Sequence, residues 1–261
     1  MEQLYIIKIG GNIIDDEDAL SAFLKDFTAL KGHKILVHGG GKMATRVAEA
    51  MGVPQQMKEG RRITDAETLK VVTMVYAGFI NKNIVALLQS FGCNALGLTG
   101  ADGNVIKAHK RIHPEIDYGF VGDVDEVNTG FIQALLQQNI ALVFSPLTHN
   151  VQGLLLNTNA DTIAQEIATA LSKIYEVSLL YCFEKPGVLM DASDDNSVIS
   201  SINSKQFTAL KEKKIIAEGM IPKLQNAFAA LNAGVKAITI GHAANLPLLA
   251  VQQSGTSIVH E

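Results

Sequence analysis

Residues 35–51 read ILVHGGGKMATRVAEAM. An apolar run ending at His38 passes, across three consecutive glycines, into Lys42–Met51, where apolar positions recur at helical spacing. A strand feeding a helix through a short turn is the building unit of an α/β fold. Gly39, Gly40 and Gly41 let backbone amides face an anion at the helix N-terminus, whereas a plain strand-to-helix turn seldom needs three glycines in a row. A Walker loop is excluded, because Gly41-Lys42 is followed by Met43 and the preceding spacing is wrong. Gly39, Gly41 and Ala44 do satisfy the dinucleotide pattern G-x-G-x-x-A. That pattern also needs a second strand ending in an acidic residue roughly 20 positions on. Here the region reads VPQQMKEGRRIT (53–64), with a proline and consecutive charges, so an NAD-dependent dehydrogenase is only a weak runner-up.

A second glycine turn supports the anion reading. Residues 4–12, LYIIKIGGN, look like a strand buried on both faces that carries Lys8 and ends in Gly10-Gly11. An unpaired lysine is costly there. It is either an edge residue snorkelling to water or a cation held at a strand end for something anionic. Two glycine-rich strand ends suggest two segments converging on one anionic ligand.

Strand-like runs at 4–9, Lys34–His38, Ile140–Ser145, Val177–Tyr181 and Val235–Ile240 alternate with helical patterns at Asp18–Leu30, Lys42–Met51, Thr129–Gln138, Asp161–Leu171 and Lys223–Asn232. The expectation is an α/β fold with a largely parallel sheet. With 261 residues and 48% hydrophobic composition, the chain can bury a large core. A net charge of -4 provides no basic field for nucleic acid. Cys93 and Cys182 lack metal-ligand spacing and read as buried thiols. The N-terminus lacks a signal-peptide pattern, and no run approaches the roughly 18 apolar residues of a membrane span. A soluble, cytoplasmic protein without membrane partners is expected.

Thr64-Asp65-Ala66-Glu67 fits a capping box opening a long helix near 65–90. Leu69, Val72, Tyr76 and Phe79 form one apolar face, while Val71, Met74, Val75 and Ile80 fall off it. Such a helix is either fully buried or shared with a partner. Lys58, Arg61 and Arg62 precede it and by themselves read as a solvated charge run, but an arginine at position 62, beside the cap, could grip a carboxylate through two parallel hydrogen bonds. In GLLLNTNADTIAQEIATAL (153–171), Asn159 or Asp161 caps a helix, which leaves the other and Asn157 for chemistry. In AEGMIPKLQNAF (217–228), Lys223 stands in the first turn of a helix, where a cation is slightly disfavoured; it is either a surface residue or a cation facing a phosphate. The histidines do not cluster and read as structural or surface groups.

The ordered motifs IIKIGGN, VHGGGK, GRRIT, NTNAD and GMIPK are similar, over essentially the whole chain, to the amino-acid kinase family. The resemblance implies a three-layer αβα sandwich with an open, mostly parallel central sheet. It implies an N-terminal part, 1–172, that binds an acyl amino acid, a nucleotide-binding part, 173–261, and a homodimer built on the long helix. The implied reaction is ATP-dependent phosphorylation of the side-chain carboxylate of an N-acyl-L-glutamate, acetyl or succinyl, in arginine biosynthesis. A related kinase for an acylated aminoadipate, or a non-catalytic nucleotide-binding regulator of the same fold, are the other readings.

By the same resemblance Lys8, Lys223 and Asp161 carry catalysis, with Asp161 between the two lysines. Gly40, Gly41, Arg62 and Asn157 bind the acyl amino acid. Gly10, Gly11 and Gly39 hold phosphate, and Ile215, Ile216, Ala217 and Glu184 touch the nucleotide, although the turn in LLYCFEKPGVL (179–189) is about two residues longer than in the family. Mg²⁺ would be held through the phosphates, with no protein cage. The family's arginine-inhibited members carry a helix before the first strand, so a dimer that arginine does not inhibit is expected. A carboxylate nucleophile is already ionised at neutral pH, with a reference pKa of about 4.3, so the chemistry needs no general base.

Overall fold

The structure is a computed structural model that describes residues 1–58, 60–216 and 218–261. Leu4, Ile6, Ile7 and Ile9 are fully buried, as an apolar β-branched run with parallel neighbours on both sides requires. Strand Gln3–Ile9 lies mid-sheet, parallel to His33–His38 on one side and Glu176–Phe183 on the other. The eight-stranded sheet runs Ser201–Ile202, Thr256–Ile258, Ala237–His242, Glu176–Phe183, Gln3–Ile9, His33–His38, Ala141–Phe144, Ala95–Leu98. Within it, among the described residues, only Ala237–His242 and Thr256–Ile258 pair antiparallel.

Helices cover both faces, each over its own apolar core. One core gathers Ile163, Ile167 and Leu171 of helix Ala160–Leu171 with Leu224 and Leu231 of helix Ile221–Asn232. The other gathers Phe23 and Phe27 of helix Glu17–Ala29, Ala44 and Ala48 of helix Gly41–Ala50, and the long helix. This is the expected three-layer αβα sandwich. Beside it stands a four-stranded sheet, ordered Leu155–Asn157, Leu147–His149, Ile106–Lys110, Gly122–Val127, which short apolar runs did not reveal. The chain builds outward from Gln3–Ile9 to one side first and, after residue 173, to the other. The carboxyl end of this central strand is therefore a topological switch point, where open α/β sheets leave a crevice.

The helical run Ala66–Ser90 is long and has a mean hydropathy of 1.6 over its most apolar 18-residue window. By length and composition it could cross a membrane, so the sequence holds one stretch nearer to that threshold than expected. Its packing explains the composition: Val71, Val72, Val75, Tyr76, Ile80, Ile84 and Leu88 are buried in the core beneath the sheet. Two details of the expectation are corrected. The N-cap is Asp65, whose carboxylate accepts from the Thr68 amide at 2.7 Å, and not Thr64, which is buried and engaged elsewhere. The apolar face also does not follow one 3.6-residue period. Residues Met74–Ile80 form a π-helical segment, whose wider turn brings Val75, Tyr76 and Ile80 inward and leaves Met74 and Phe79 exposed.

Candidate active site

The two glycine turns meet at the carboxyl ends of adjacent parallel strands. The Gly39 amide donates to the Ile9 carbonyl at 3.1 Å. A Cβ added to Gly39 would lie 3.8 Å from the Gly11 nitrogen, and one on Gly11 4.0 Å from the Gly41 nitrogen. Gly11 and Gly41 each open a helix, so their free first-turn amides point out of the sheet together. Among the described residues nothing lies within 4 Å of the place a Gly10 side chain would take, which leaves that turn open to a ligand. Gly40 is different: its φ of +141° is a glycine conformation, and a Cβ there would stand 2.3 Å from Ile80 Cδ1. A cavity of about 250 Å³ opens over these turns, bordered by Lys8, Gly11, the three glycines 39–41, Arg62, Asn157 and Asp161.

Asp161 sits between the two lysines. Lys8 Nζ lies 2.6 Å from its Oδ1 and Lys223 Nζ 2.5 Å from its Oδ2. Asn159 settles the open question of the cap, because its side chain accepts from the amides of Asp161 and Thr162 at 2.8 and 3.2 Å. Asp161 is thereby free for the lysines. Burial opposes its ionisation, but the Lys8 and Lys223 charges prevail and hold its carboxyl well below the usual carboxylate range. Burial lowers the Lys8 ammonium, with the Lys223 charge acting the same way and Asp161 opposing both. Two cations on one carboxylate leave one excess positive charge at the cavity edge, which a phosphate can satisfy.

The substrate-side residues are tied to one another. Arg62 is buried, and its guanidinium donates to Gly41 O at 2.9 Å, to Thr45 Oγ1 at 2.8 Å and to the Gln55 side chain. Arg62 comes from a small β-hairpin, Gln56–Lys58 with Arg61–Ile63, where the sequence read as a solvated charge run. Thr64 donates to Arg62 O at 3.1 Å and accepts from Asn157 Nδ2 at 3.0 Å. That relay fixes Asn157 relative to Arg62 and leaves the Asn157 Oδ1 for an N–H donor. Thr45, which holds Arg62, Thr64, which holds Asn157, and Tyr76, which borders the cavity, are neighbours that sequence reasoning missed. Thr64 stood in the quoted GRRIT motif, but its apparent role as a cap masked this one.

On the other side of Asp161, Ile215 and Ile216 border an apolar groove with Phe183, Gly187, Val188 and Met220. Lys185 borders that groove too, whereas Glu184 is exposed and close enough for its charge to act on Lys8. Ala217 lies outside the described residues.

Glycine-turn amides, two lysines on one carboxylate and an adjacent buried arginine make an arrangement suited to anionic reactants and to phosphoryl transfer. The profile of the amino acid kinase family matches residues 3–242, and the chain belongs to that family. It is 58% identical over 247 residues to an acetylglutamate kinase of Cytophaga hutchinsonii, covering 94% of each chain. It is 56% identical over 246 residues to an acetylglutamate kinase of Parabacteroides distasonis, covering 94% of this chain and 96% of that one. Among solved structures, the N-acetylglutamate synthase of Neisseria gonorrhoeae, complexed with coenzyme A and N-acetyl-glutamate, aligns over the whole chain with a TM-score of 0.85. At 22% identity that likeness shows the fold alone, and this chain spans 60% of the length of that one.

Proposed function

We infer that this chain is an ATP-dependent kinase that phosphorylates the side-chain carboxylate of N-acetyl-L-glutamate in arginine biosynthesis. The observation that carries the reading is the Lys8–Asp161–Lys223 clamp at the edge of the glycine cavity, in a chain 56–58% identical to acetylglutamate kinases.

The geometry supports a division of labour. Residues 1–172 hold the acyl amino acid and residues 173–261 the nucleotide, with the shared sheet aligning them. Arg62 grips the α-carboxylate through the donors that Gly41, Thr45 and Gln55 leave free, and Asn157 accepts from the acylated amide N–H. The apolar groove at Ile215 and Ile216 receives the base, Gly10 and Gly11 receive phosphate, and Glu184, at the turn beside the groove, touches the nucleotide. Lys8 and Lys223 then flank the transferred group. Bringing one anion to another is the difficulty, and fixed cations and amides lower that barrier without proton transfer. Among the described residues no three histidine, cysteine or carboxylate side chains are grouped for a metal, and Asp161 is already engaged. A Mg²⁺ ion bound through phosphate oxygens would supply further neutralisation of phosphate charge.

An ADP-release assay with N-acetylglutamate, N-succinylglutamate and free glutamate tests the reading. Turnover with the acetyl compound and none with free glutamate is expected. Turnover with the succinyl compound alone would reassign the acyl group, and silence with all three would move the chain to the regulator reading or to another substrate.

We further propose a cytoplasmic homodimer. Met74 and Phe79, 50% and 63% exposed, lie side by side in the π-helical segment and offer an apolar contact. Light scattering should give twice the 28.0 kDa chain mass, and a monomer at micromolar concentration would remove this proposal.

A further inference from the structure

His38 takes no part in the scheme above, yet it directly precedes the glycine turn and is fully buried. Its Nδ1 lies 2.8 Å from the Gly39 carbonyl oxygen and its Nε2 3.2 Å from Asn81 Nδ2. The orientation of the Asn81 amide is fixed by its other neighbours. Nδ2 also donates to the Val143 carbonyl at 2.9 Å, and Oδ1 accepts from Lys82 Nζ at 3.1 Å. An amide nitrogen only donates, so His38 Nε2 accepts and the ring proton of the neutral imidazole sits on Nδ1. That proton is donated to Gly39 O. Burial, with the Lys82 charge acting in the same direction, pushes the imidazole down to about 4 against the pull of Gly39, so the ring is neutral near pH 7.

The consequence lies one peptide further on. In a trans peptide the C=O and the following N–H point in opposite directions. Drawing the Gly39 carbonyl towards His38, which does not border the cavity, aims the Gly40 N–H the other way, and Gly40 does border it. The Gly40 carbonyl accepts from the Ala44 amide at 3.0 Å, and the Gly41 carbonyl accepts from Arg62 and Thr45 at 2.9 and 3.0 Å. Asn81 is the first residue after the π-helical segment. Ile80, just before it, fills the space beside Gly40. The wide helical turn therefore sets both contacts at once.

We infer that His38 is a positioning residue, locked in its Nδ1–H tautomer by Asn81, which keeps the Gly39 carbonyl turned away from the cavity and the Gly40 amide turned towards the phosphoryl group in transfer. The inference deepens the kinase reading and rests on it.

Two measurements on the full chain test it. Imidazole ¹⁵N spectra at pH 7, taken without any substrate, should show His38 protonated at Nδ1 and bare at Nε2. Protonation at Nε2 would overturn the inference. In turnover with ATP and N-acetylglutamate, His38→Leu should lower kcat about 10- to 100-fold, a fraction of the loss for deleting a charge-stabilising donor, with a near-unchanged KM for ATP. His38→Asn, whose side-chain NH₂ stands near the imidazole Nδ1, should restore most of that loss. A His38→Leu variant with wild-type kcat, or an Asn variant as slow as the Leu variant, would refute it. Should His38→Leu fail to fold, Asn81→Leu takes its place, and an unchanged kcat there refutes it equally. Wild-type silence with N-acetylglutamate would instead count against the kinase reading, while the tautomer still reports on His38.

Discussion

Lys8→Ala is expected to lower kcat about 10²–10³-fold, the usual loss when one preorganised charge-stabilising donor is removed, while the chain stays folded. The fold survives because the change leaves no orphan. Asp161 keeps Lys223 at 2.5 Å, and a lysine whose burial is unfavourable is removed. Lys223→Ala should give a similar loss, because that lysine holds the other carboxylate oxygen of Asp161. The double variant should lose much less than the product of the two, since both act on one phosphoryl group. Steady-state kinetics with circular dichroism as the folding control decides this. A Lys8→Ala enzyme within a few-fold of wild type would sink the clamp mechanism.

Asp161→Asn tests the other half of the clamp and should act first on stability. Deleting the shared anion leaves Lys8, 12% exposed in its side chain, beside Lys223, with the exposed Glu184 carboxylate as a weak remaining counter-charge. Removing one partner of a buried pair costs about 3–5 kcal/mol, and the open cavity places this site near the lower figure. For a chain of this size that corresponds to a fall in Tm of roughly 6–12 °C. The pH dependence has a definite sign. Asp161 is more acidic folded than unfolded, so its contribution is complete above the ordinary carboxylate range and is lost only as pH falls through its depressed folded value. The gap between wild type and variant should therefore be flat from about pH 5 to 8 by thermal denaturation. Equal melting temperatures at pH 7 would show that the three side chains are not coupled.

Much of the chemistry was legible because its local signals are strong. Three consecutive glycines after an apolar strand, a lysine inside such a strand, and a polar NTNAD turn before a helix are each costly without a ligand or partner. What stayed hidden depends on contacts distant in sequence. Thr64 looked like a cap because a capping box is a local pattern. Its actual partner is Asn157, 93 residues away. The Arg62 hairpin looked like a solvated charge run because antiparallel pairing of three-residue strands leaves almost no period. The long helix misled on its apolar face, since a π-helical segment changes the period on which that reading rests.

By itself the sequence determined the α/β class and the largely parallel sheet, through alternating apolar runs and helical patterns. It also determined the identity of the charged and glycine residues, because their types and spacing are covalent facts. Only the tertiary structure decided how they meet. Parallel pairing of Gln3–Ile9 with His33–His38 and Glu176–Phe183 brings Lys8, the glycine turns and the helix bearing Asp161 to one end of the sheet. The ionisation of Asp161 and Lys8 follows from that convergence and not from either residue alone, since burial and Coulomb attraction between groups 153 residues apart exist only once the chain has folded.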